Sequence, residues 1–391
     1  MLKFEDALSL TLSRALDLEQ EPVKLSNAVN RVLATDLYAD ISMPPFDKSA
    51  MDGFACRMED LDKELEQVEV IQAGVEPQKE ILSGQCAQIM TGAMLPKGAD
   101  TVIMVEHTEL SENGRIRFVG DQKKSNICYL GEDIKSGDKV LSAGTLIGTR
   151  HIPILASIGA QEFQVLCQPA ISVLATGTEL VEPDQKPKGS QIRNSNASQM
   201  MAQVAEMGLK GLYFGIAPDN EQETFDLLKK ALDSSDILLL SGGVSMGEFD
   251  FVPLVIERLG FKILYQKIAV QPGKPTTFAI GHGKAIFALP GNPISSFIQF
   301  ELIVKPYIYK CMSYNWNPPV LKLHAGERIK RKKTSRMSWF PVRINQEGKV
   351  VPMEYHGSAH IFAISNAHGF ASFEIGQAVI EEGDILNVRP I

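Results

Sequence analysis

The sequence predicts a protein of several domains, in which a doubly wound α/β domain is combined with β-rich regions. The chain has 391 residues, which is too long for one ordinary hydrophobic core. Apolar strands alternate with amphipathic helices from residue 168 to residue 312, and this alternation is typical of parallel strands joined by crossover helices. Residues 41–130 instead contain short alternating segments separated by glycine, proline and asparagine, which predict antiparallel strands.

The other segments follow from their local patterns. The chain begins with an amphipathic helix, MLKFEDALSLTLSRALDLEQ, whose acidic residues argue against a signal peptide. Residues 131–167 hold a turn-rich β segment and then an apolar helical stretch. The Pro-rich residues 315–319, NWNPP, are a predicted linker, and β character returns over residues 320–391.

Composition excludes several classes of protein. The net charge of −8 argues against a general nucleic-acid-binding protein, which needs a basic face for phosphates. No apolar run approaches the roughly 20 residues that span a bilayer. The five cysteines form no CxxC pair, which predicts free thiols in a reducing compartment and therefore a cytoplasmic protein.

Polar residues follow three predicted strands of the α/β region. Because ligands bind at the carboxyl ends of the strands in such sheets, these turns are candidate ligand sites. The first is ATGTEL (175–180), with Thr176, Gly177 and Glu179; the second is APDN (217–220), with Asp219; the third is SGGVSMGEFD (241–250), with Ser241, Gly242, Gly243, Ser245 and Asp250.

The third turn combines features that favour a phosphate with features that repel one. Its glycine pair and Ser245 suit a nest of backbone N–H groups that binds an anion. Carboxylates beside a phosphate repel it unless a cation lies between them, and Mg²⁺ commonly bridges carboxylates to phosphates. Glu179, Asp219 and Asp250 are therefore candidate Mg²⁺ ligands. The alternatives are a helix N-cap at Asp219, a tight strand-to-helix turn at the glycines, and three solvated acids.

Three further segments carry candidate binding residues. KIAVQPGKPTTFA (267–279) places Lys267 and Lys274 around a Pro-Gly turn, where they either bind an oxyanion or are ordinary surface lysines. LPGNPISSF (289–297) predicts Asn292 as the N-cap of a helix whose N-terminus could bind an anion. The loop MPPFDKSAMDGFA (43–55) mixes apolar and acidic residues, which favours either a binding element or a pinned domain crossover.

Six motifs in this order closely resemble the molybdopterin molybdenumtransferase family, which includes the E domain of gephyrin. The motifs are PPFDKSAMDGFA, IMTGAMLPKGADTVIMVE, GEDIKSGD, ATGTEL, SGGVSMGEFDF and QPGKPTTFA…ALPGNPISS. The resemblance runs from the first helix to the last strand.

The resemblance implies a fold and a reaction. Family members insert molybdate into adenylylated molybdopterin, require Mg²⁺ and release AMP. They act after a molybdopterin adenylyltransferase and before the apo-molybdoenzymes that receive the cofactor. They are homodimers whose active site is shared between subunits of four domains. The implied domains are residues 1–42 with 132–167 (a discontinuous helical/β linker domain), 43–131 (a β-rich lobe), 168–312 (the molybdopterin-binding α/β domain) and 318–391 (a β-barrel-like domain).

The resemblance also assigns roles to residues. It implies polar residues on the partner side of the site at Asp52, Thr91 and Asp133, and acids of the α/β domain at Glu179, Asp219 and Asp250. Lys267 and Lys274 would face anionic substrate, and Arg336 and Ser358 would contact molybdate. The sequence differs from many members at Gln271, where they have lysine.

Two other functions compete with this interpretation. A non-catalytic molybdopterin-binding carrier or scaffold could use the same fold, although the retained acids and Lys267 favour an enzyme. A nucleotide-dependent oxidoreductase is disfavoured because no GxGxxG follows the first strand of the α/β region.

Overall fold

The computed structural model describes residues 1–121, 124–243, 251–354, 357 and 359–391. These residues form two compact units. The larger unit comprises Met1–Ala34, Gly144–Thr149 and Glu162–Ile391, and the smaller comprises Thr35–Ala143 and Arg150–Gln161. The four-domain boundaries given above stay a prediction.

The helices and strands are numbered in chain order. The α-helices are α1 (Phe4–Leu12), α2 (Ile152–Ser157), α3 (Ser195–Glu206), α4 (Glu221–Asp233), α5 (Val252–Arg258), α6 (Pro293–Gln299) and α7 (Lys305–Cys311). A π-helical segment, Phe300–Val304, joins α6 to α7. Short 3₁₀ segments are Leu25–Asn27, Met58–Asp60, Val105–His107, Thr149–His151 and Ile361–Ile364.

The strands fall into three groups along the chain. Those before residue 167 are β1 (Gln20–Lys24), β2 (Leu37–Tyr38), β3 (Lys48–Ser49), β4 (Gly53–Cys56), β5 (Glu64–Ile71), β6 (Gln85–Ile89), β7 (Thr101–Met104), β8 (Thr108–Leu110), β9 (Ile116–Phe118), β10 (Ile127–Cys128), β11 (Lys139–Leu141) and β12 (Glu162–Leu166). The central group is β13 (Ile171–Thr176), β14 (Leu180–Val181), β15 (Ile192–Arg193), β16 (Gly211–Ala217), β17 (Ile237–Ser241), β18 (Lys262–Lys267), β19 (Val270–Gln271), β20 (Pro275–Gly281) and β21 (Lys284–Leu289). The last group is β22 (Leu321–His324), β23 (Ile329–Lys330), β24 (Met337–Ile344), β25 (Val350–Pro352), β26 (Gly369–Phe373), β27 (Val379–Ile380) and β28 (Ile385–Pro390).

The smaller unit is built around a six-stranded sheet with the order β7-β4-β6-β5-β9-β8. The predicted antiparallel pairing is confirmed except between β5 and β6, which run parallel. Gly53 begins the central strand β4, and an ideal Cβ there would lie 1.8 Å from the backbone oxygen of Ile103 in β7. Only glycine therefore allows β4 and β7 to pair this closely immediately after Asp52.

The α/β sheet lies in the larger unit and has the order β16-β13-β17-β21-β20-β18. The predicted parallel strands are confirmed for β16, β13, β17 and β21. The expectation of parallel crossovers throughout is wrong, because β20 lies between β21 and β18 and is antiparallel to both. Strand β18 itself runs in the same direction as β21. The connections around β20 are too short for a crossover, so the chain forms hairpins there.

Helices cover both faces of this sheet, as a parallel core requires. The apolar side chains of α3 and α6 pack on one face, and those of α4 and α5 pack on the other. One of the amphipathic helices predicted over residues 168–312 is confirmed as α3, where Asn194 accepts a hydrogen bond from the N–H of Ala197. The central strands β13 and β17 are buried along their whole length, which fixes the positions of the turns that follow them.

The β character predicted near the C-terminus is confirmed. Strands β24, β26, β28 and β22 form an antiparallel sheet, with β25 antiparallel to β24 and β19 parallel to it. Its apolar face forms a separate core. The finer description as β-barrel-like stays a prediction. Among the described residues, no helix has both the length and the apolar character needed to cross a bilayer.

Candidate active site

A cleft of about 230 Å³ lies at the carboxyl edge of the α/β sheet. After β13 the chain enters α3 on one face of the sheet, and after β17 it continues toward α5 on the other. Divergent connections of this kind open a crevice between neighbouring strands, which is the usual ligand site in open α/β sheets. The lining residues are Thr176, Glu179, Leu180, Ile192, Arg193, Asn194, Ser195, Asn196, Ser241, Gly242, Gly291, Asn292, Pro293 and Ala359.

A buried hydrogen-bond network forms one wall of this cleft. The side-chain amide of Asn196 donates to Ser241 Oγ at 2.7 Å and to the carbonyl oxygen of Gly291 at 2.8 Å. The hydroxyl of Thr176 donates to the carbonyl oxygen of Ser241 at 3.4 Å. The network joins the ends of β13, β17 and β21 to the first turn of α3. Thr176 and Ser241 therefore help to shape the cleft through their contacts with the protein.

The first two predicted turns contact each other directly. The carboxylate oxygen Oδ2 of Asp219 accepts hydrogen bonds from the N–H of Thr178 at 3.0 Å and from its hydroxyl at 2.9 Å. The alternative interpretation of Asp219 as a helix N-cap is wrong by one residue, because Asn220 caps α4 by accepting from the N–H of Glu223. Asp219 instead fixes the turn that carries Glu179, and Glu179 lines the cleft.

The glycine turn after β17 packs tightly on the end of β13. Gly242 has φ +93° and an ideal Cβ there would lie 2.4 Å from the carbonyl oxygen of Thr176, so a side chain is excluded. Gly243 follows with φ +62°. The N–H of Gly242 donates to the carbonyl oxygen of Leu289, so this amide is not a free donor for an anion. The same holds for Gly177, whose N–H donates to the carbonyl oxygen of Ala217.

The segment Arg193–Asn196 lines the cleft, although the sequence was interpreted there only as the start of a helix. Asn194 is buried and donates to the hydroxyl of Tyr213, which in turn donates to Glu182. The signal that could have located this segment is its position: a helix that follows the first strand of an α/β domain begins near the carboxyl edge of the sheet. Asn292, which was predicted from the sequence, also lines the cleft and is confirmed at the N-cap position of α6.

The predicted basic residues also lie at the carboxyl edge of the sheet, but next to β20 and β18, the strands at the end of the sheet opposite β16. Lys267 ends β18 and Lys274 immediately precedes β20, and the N–H of Ile268 closes their loop onto the carbonyl oxygen of Lys274. Four strand spacings, about 19 Å, separate β13 from β18, which ends at Lys267. Lys274 is nearer to the cleft, because β20 neighbours β21 and the turn after β21 lines the cleft. None of the residues lining the cleft comes from this loop.

Arg336 lies beside the same loop. Its guanidinium donates to the carbonyl oxygen of Val270 at 3.2 Å and to Gln271 Oε1 at 3.4 Å. The structure thus groups Arg336 with the segment that carries Lys267 and Lys274. Gln271, at the position where the resemblance implies lysine, contacts Arg336 as a neutral acceptor.

Two predicted residues of the smaller unit are also brought together. Asp52 Oδ1 accepts from the N–H of Thr91 at 2.6 Å and from its hydroxyl at 2.8 Å. These hydrogen bonds lower the pKa of Asp52 below its usual value of 3.8, the backbone contact contributing most. Asp133 is exposed, and no described hydrogen bond joins its carboxylate to this pair.

The predicted residues Ser245, Asp250 and Ser358 lie outside the described residues. The proposed set of three acids therefore has two described members, Glu179 and Asp219. Within the described ranges, no group of three or more His, Cys, Asp or Glu side chains is arranged to hold a metal.

These features define the class of the protein as a multidomain α/β protein with a ligand cleft at its sheet edge. Residues 2–159 match the family described as "MoeA N-terminal region (domain I and II)", and residues 172–310 match a "Probable molybdopterin binding domain". The molybdopterin molybdenumtransferase of Staphylococcus epidermidis is 32% identical over 99% of this chain and 95% of its own length. That of Bacillus subtilis is 34% identical over 95% of this chain and 89% of its own length.

Comparison with solved structures identifies the same family. The crystal structure of the molybdopterin biosynthesis MoeA protein from Pyrococcus horikoshii aligns over 100% of both chains with a TM-score of 0.85 and 26% identity. The chain belongs to the molybdopterin molybdenumtransferase family. The family resemblance and the enzyme class expected from the sequence are confirmed, and the roles of individual residues stay predictions.

Proposed function

We propose that this protein transfers molybdenum from molybdate to adenylylated molybdopterin and releases AMP, with Mg²⁺ required. The observation that carries the proposal is the cleft between the ends of β13 and β17, which lies in the region that matches a molybdopterin-binding domain. Its wall is rigid because Asn196 joins three elements through buried hydrogen bonds. A substrate bound there is held against an edge that also carries Glu179.

The acids of the cleft fit a magnesium ion held partly by substrate. Glu179 lines the cleft, and Asp219 holds the turn beside it through Oδ2 while its second carboxylate oxygen remains a further acceptor. Mg²⁺ is usually bound by one or two carboxylates together with substrate phosphates and water, so two acids are sufficient. Bound there, the ion would neutralise negative charge on the substrate phosphates.

The second substrate, molybdate, is an oxyanion and needs cationic or N–H donors. Arg336 is anchored on the carbonyl oxygen of Val270 and lies beside the loop of Lys274. We assign molybdate binding to this loop, with Arg336 and Lys274 as donors and Lys267 as a nearby positive charge. Gln271 keeps the guanidinium in place without adding a cation.

The site is proposed to be completed by the smaller unit of a second subunit in a homodimer. The hydrogen-bonded pair Asp52 and Thr91 would contribute its polar groups. Asp133 is the third residue that the resemblance assigns to the partner side. A mixture of Asp52→Ala and Glu179→Ala proteins tests this directly. Random exchange of subunits places about a quarter of the sites in an intact state, so activity should return to roughly that fraction. Two inactive variants that stay inactive after demonstrated subunit exchange would contradict a shared site.

The experiment that tests the proposed function supplies purified protein with adenylylated molybdopterin and Mg²⁺, and follows AMP release with and without molybdate. We expect molybdate-dependent AMP release that disappears when EDTA removes the metal. Glu179→Gln should reduce turnover by about 10- to 1,000-fold if the carboxylate holds the cation. Arg343→Gln, an exposed change on β24, serves as a control for nonspecific effects of surface substitution.

The carrier or scaffold interpretation predicts a different result in this assay, namely tight substrate binding without AMP release. In the proposed pathway the protein acts in the cytoplasm, receives its substrate from a molybdopterin adenylyltransferase and supplies apo-molybdoenzymes. Neither nucleic acid nor membrane is a proposed partner.

A further inference from the structure

All three carbonyl oxygens of the turn Pro272–Lys274 accept hydrogen bonds from protein donors. The side-chain amide of Gln299 donates to the first carbonyl at 3.2 Å, and the hydroxyl of Thr276 donates to the second at 2.9 Å. The N–H of Ile268 donates to the third at 3.0 Å. Each peptide plane of the turn is therefore held with its oxygen directed toward the protein.

This arrangement directs two N–H groups of the turn the other way. The carbonyl and the N–H of a trans peptide point to opposite sides of the chain. The held carbonyls of Pro272 and Gly273 therefore turn the N–H groups of Gly273 and Lys274 away from their protein donors. Among the described residues, no hydrogen bond engages either of these two N–H groups. They are available as donors to an oxyanion that binds at this turn.

Gln299, which holds the first carbonyl, is a fully buried polar residue near the end of α6. Its side chain is 0% exposed, and Nε2 donates to the carbonyl oxygen of Pro272. Its other polar atom, Oε1, has no hydrogen-bond partner in the described structure. A buried amide oxygen without a partner is unfavourable for folding, and an apolar side chain of similar volume would avoid it. Stability alone therefore does not explain a glutamine at this position, whereas its N–H donor does.

The turn lies directly against the Gln299 side chain. An ideal Cβ at Gly273 would lie 2.3 Å from Gln299 Nε2 and 2.8 Å from its Cδ, and Gly273 has φ +106°. Glycine permits both the close approach and this backbone conformation. The same freedom lets the peptide between Pro272 and Gly273 rotate unless its carbonyl is held. Within the described ranges, Gln299 is the only donor to that carbonyl.

The residues before the turn are held from both sides, which confines such a rotation to the turn. The N–H of Ala269 donates to the carbonyl oxygen of Leu2 at 2.7 Å, and the carbonyl oxygen of Ala269 accepts from the N–H of Met337 at 3.0 Å. Loss of the Gln299 contact would therefore change the direction of one peptide and leave the preceding residues in place.

We propose that Gln299 is a positioning residue for molybdate. It holds the peptide between Pro272 and Gly273 so that the Gly273 N–H, and not the Pro272 carbonyl oxygen, faces the bound oxyanion. The assignment of molybdate to this turn comes from the proposed function, on which the inference rests. Gln299 acts through the peptide and does not itself contact substrate. Without its donor, the peptide also adopts the rotated orientation, in which the carbonyl oxygen repels the anion.

The test measures molybdate binding and turnover in variants of the full chain. Gln299→Met keeps an unbranched side chain of similar size and removes the donor. We expect the KM for molybdate, and the dissociation constant for molybdate measured by isothermal titration, to rise roughly 3- to 30-fold. The KM for adenylylated molybdopterin and the kcat at saturating molybdate should change less than about twofold, because only the binding of one substrate is weakened.

Gln299→Glu supplies a readout that a merely structural role would not change. A protonated carboxyl group donates to the Pro272 carbonyl oxygen, whereas an ionised one can only accept and repels it. Burial raises the pKa of such a carboxyl group into the range of the assay. The dissociation constant for molybdate, divided by that of the wild type at the same pH, should therefore rise between about pH 6 and about pH 9.

Ser172→Ala is the matched control. Ser172 is 0% exposed near the amino end of β13, and its hydroxyl donates to the carbonyl oxygen of Ala231 at 3.1 Å. The substitution therefore removes a buried hydrogen bond from a side chain to a carbonyl in the same α/β domain. It should leave molybdate binding and both KM values unchanged.

A loss confined to molybdate in Gln299→Met, with a ratio that rises with pH in Gln299→Glu, supports the inference. Unchanged molybdate binding in Gln299→Met, equal increases in both KM values, or a ratio that is constant with pH would overturn it. Thermal unfolding shows whether each variant is folded. If Gln299→Met does not fold, the pH dependence of Gln299→Glu decides, and failure of both to fold would overturn the inference by showing that Gln299 is needed for stability.

Failure of this inference is distinguishable from failure of the proposed function. A wild type that binds molybdate in a Gln299-dependent manner but releases no AMP would refute the transferase and leave the positioning role. Molybdate-dependent AMP release with an unchanged KM for molybdate in Gln299→Met would do the reverse. A wild type that shows no molybdate binding at millimolar concentration in either measurement would overturn the inference.

Discussion

Asn196→Ala should destabilise the α/β domain by removing a buried link between two strands and a helix. The side chain is 8% exposed and donates to Ser241 Oγ at 2.7 Å and to the carbonyl oxygen of Gly291 at 2.8 Å. Leaving a buried partner unsatisfied costs about 1–3 kcal/mol, and the serine hydroxyl can reorient more easily than the carbonyl. Alanine returns about 0.5 kcal/mol through its higher helix propensity. With the serine reoriented and the carbonyl left unpaired, we therefore expect a net loss of roughly 0.5–2.5 kcal/mol in the free energy of unfolding.

Urea unfolding followed by tryptophan fluorescence measures this loss. Trp316 stacks on Tyr309 of α7, which packs in the same core as α3, so its emission reports on the domain. Asn366→Ala, an exposed change of the same type, should stay within about 0.5 kcal/mol of the wild type. Ser241→Ala removes one partner, and the double variant should show a coupling energy of about 0.5–2 kcal/mol. A loss below about 0.5 kcal/mol for Asn196→Ala would refute the reasoning.

Three further changes test other parts of the account. Asp219→Asn keeps an oxygen that accepts from Thr178 but loses the negative charge. The melting temperature should therefore change little, while the rate of AMP release falls at least about tenfold. A melting temperature that falls together with AMP release would assign Asp219 a structural role only. The pKa of Asp52 is lowered by Thr91, so the stabilisation from this pair is present above the usual aspartate pKa and is lost as pH falls through the lower folded value. The stability difference between the wild type and Asp52→Asn should therefore shrink between pH 7 and pH 2, and a difference that is constant across this range would contradict the assignment. Gly53→Ala should destabilise the smaller unit by more than about 3 kcal/mol, because the added Cβ meets a backbone oxygen at 1.8 Å; hydrogen exchange of β4 amides at the wild-type rate would show that the backbone accommodates it.

The strands and turns of the α/β domain were predictable because their signals are local. AISVLAT and DILLLS are continuous apolar runs of strand length, and both are buried strands of the sheet. The turn residues that follow them, including Glu179 and Gly242, lie in the cleft as expected. The strand β20 was missed because PTTFAIG follows a Pro-Gly turn, and the antiparallel hairpins around it depend on pairing that no local pattern specifies.

The site was predicted less completely for a different physical reason. The contact between Asp219 and Thr178 joins residues 41 positions apart, and its existence depends on the order of neighbouring strands. Arg193 and Asn196 were overlooked because a Ser/Asn-rich helix start is fully explained by capping when only the sequence is considered. The lysines were predicted only to flank a Pro-Gly turn, and the structure places that turn at the carboxyl edge of the sheet. They lie on the loop between β18 and β20, the two strands that extend the sheet beyond β21.

The contact between Gln271 and Arg336 shows what a glutamine does at this position. A lysine at position 271 would place a second cation beside the guanidinium, whereas the amide oxygen of glutamine accepts its hydrogen bond. The neutral residue therefore orders Arg336 and lowers the local positive charge at the proposed molybdate loop.

The most direct measurement of the central claim is the formation of active molybdenum cofactor by the purified protein. Adenylylated molybdopterin, Mg²⁺ and either molybdate or tungstate are supplied, and the product is assayed by reconstitution of a cofactor-free molybdoenzyme while AMP is quantified in the same reaction. The account predicts molybdate-dependent AMP release accompanied by active cofactor, with both signals reduced together in Glu179→Gln. Tight binding of the substrate with neither AMP release nor active cofactor would contradict the account and would identify the protein as a carrier or scaffold.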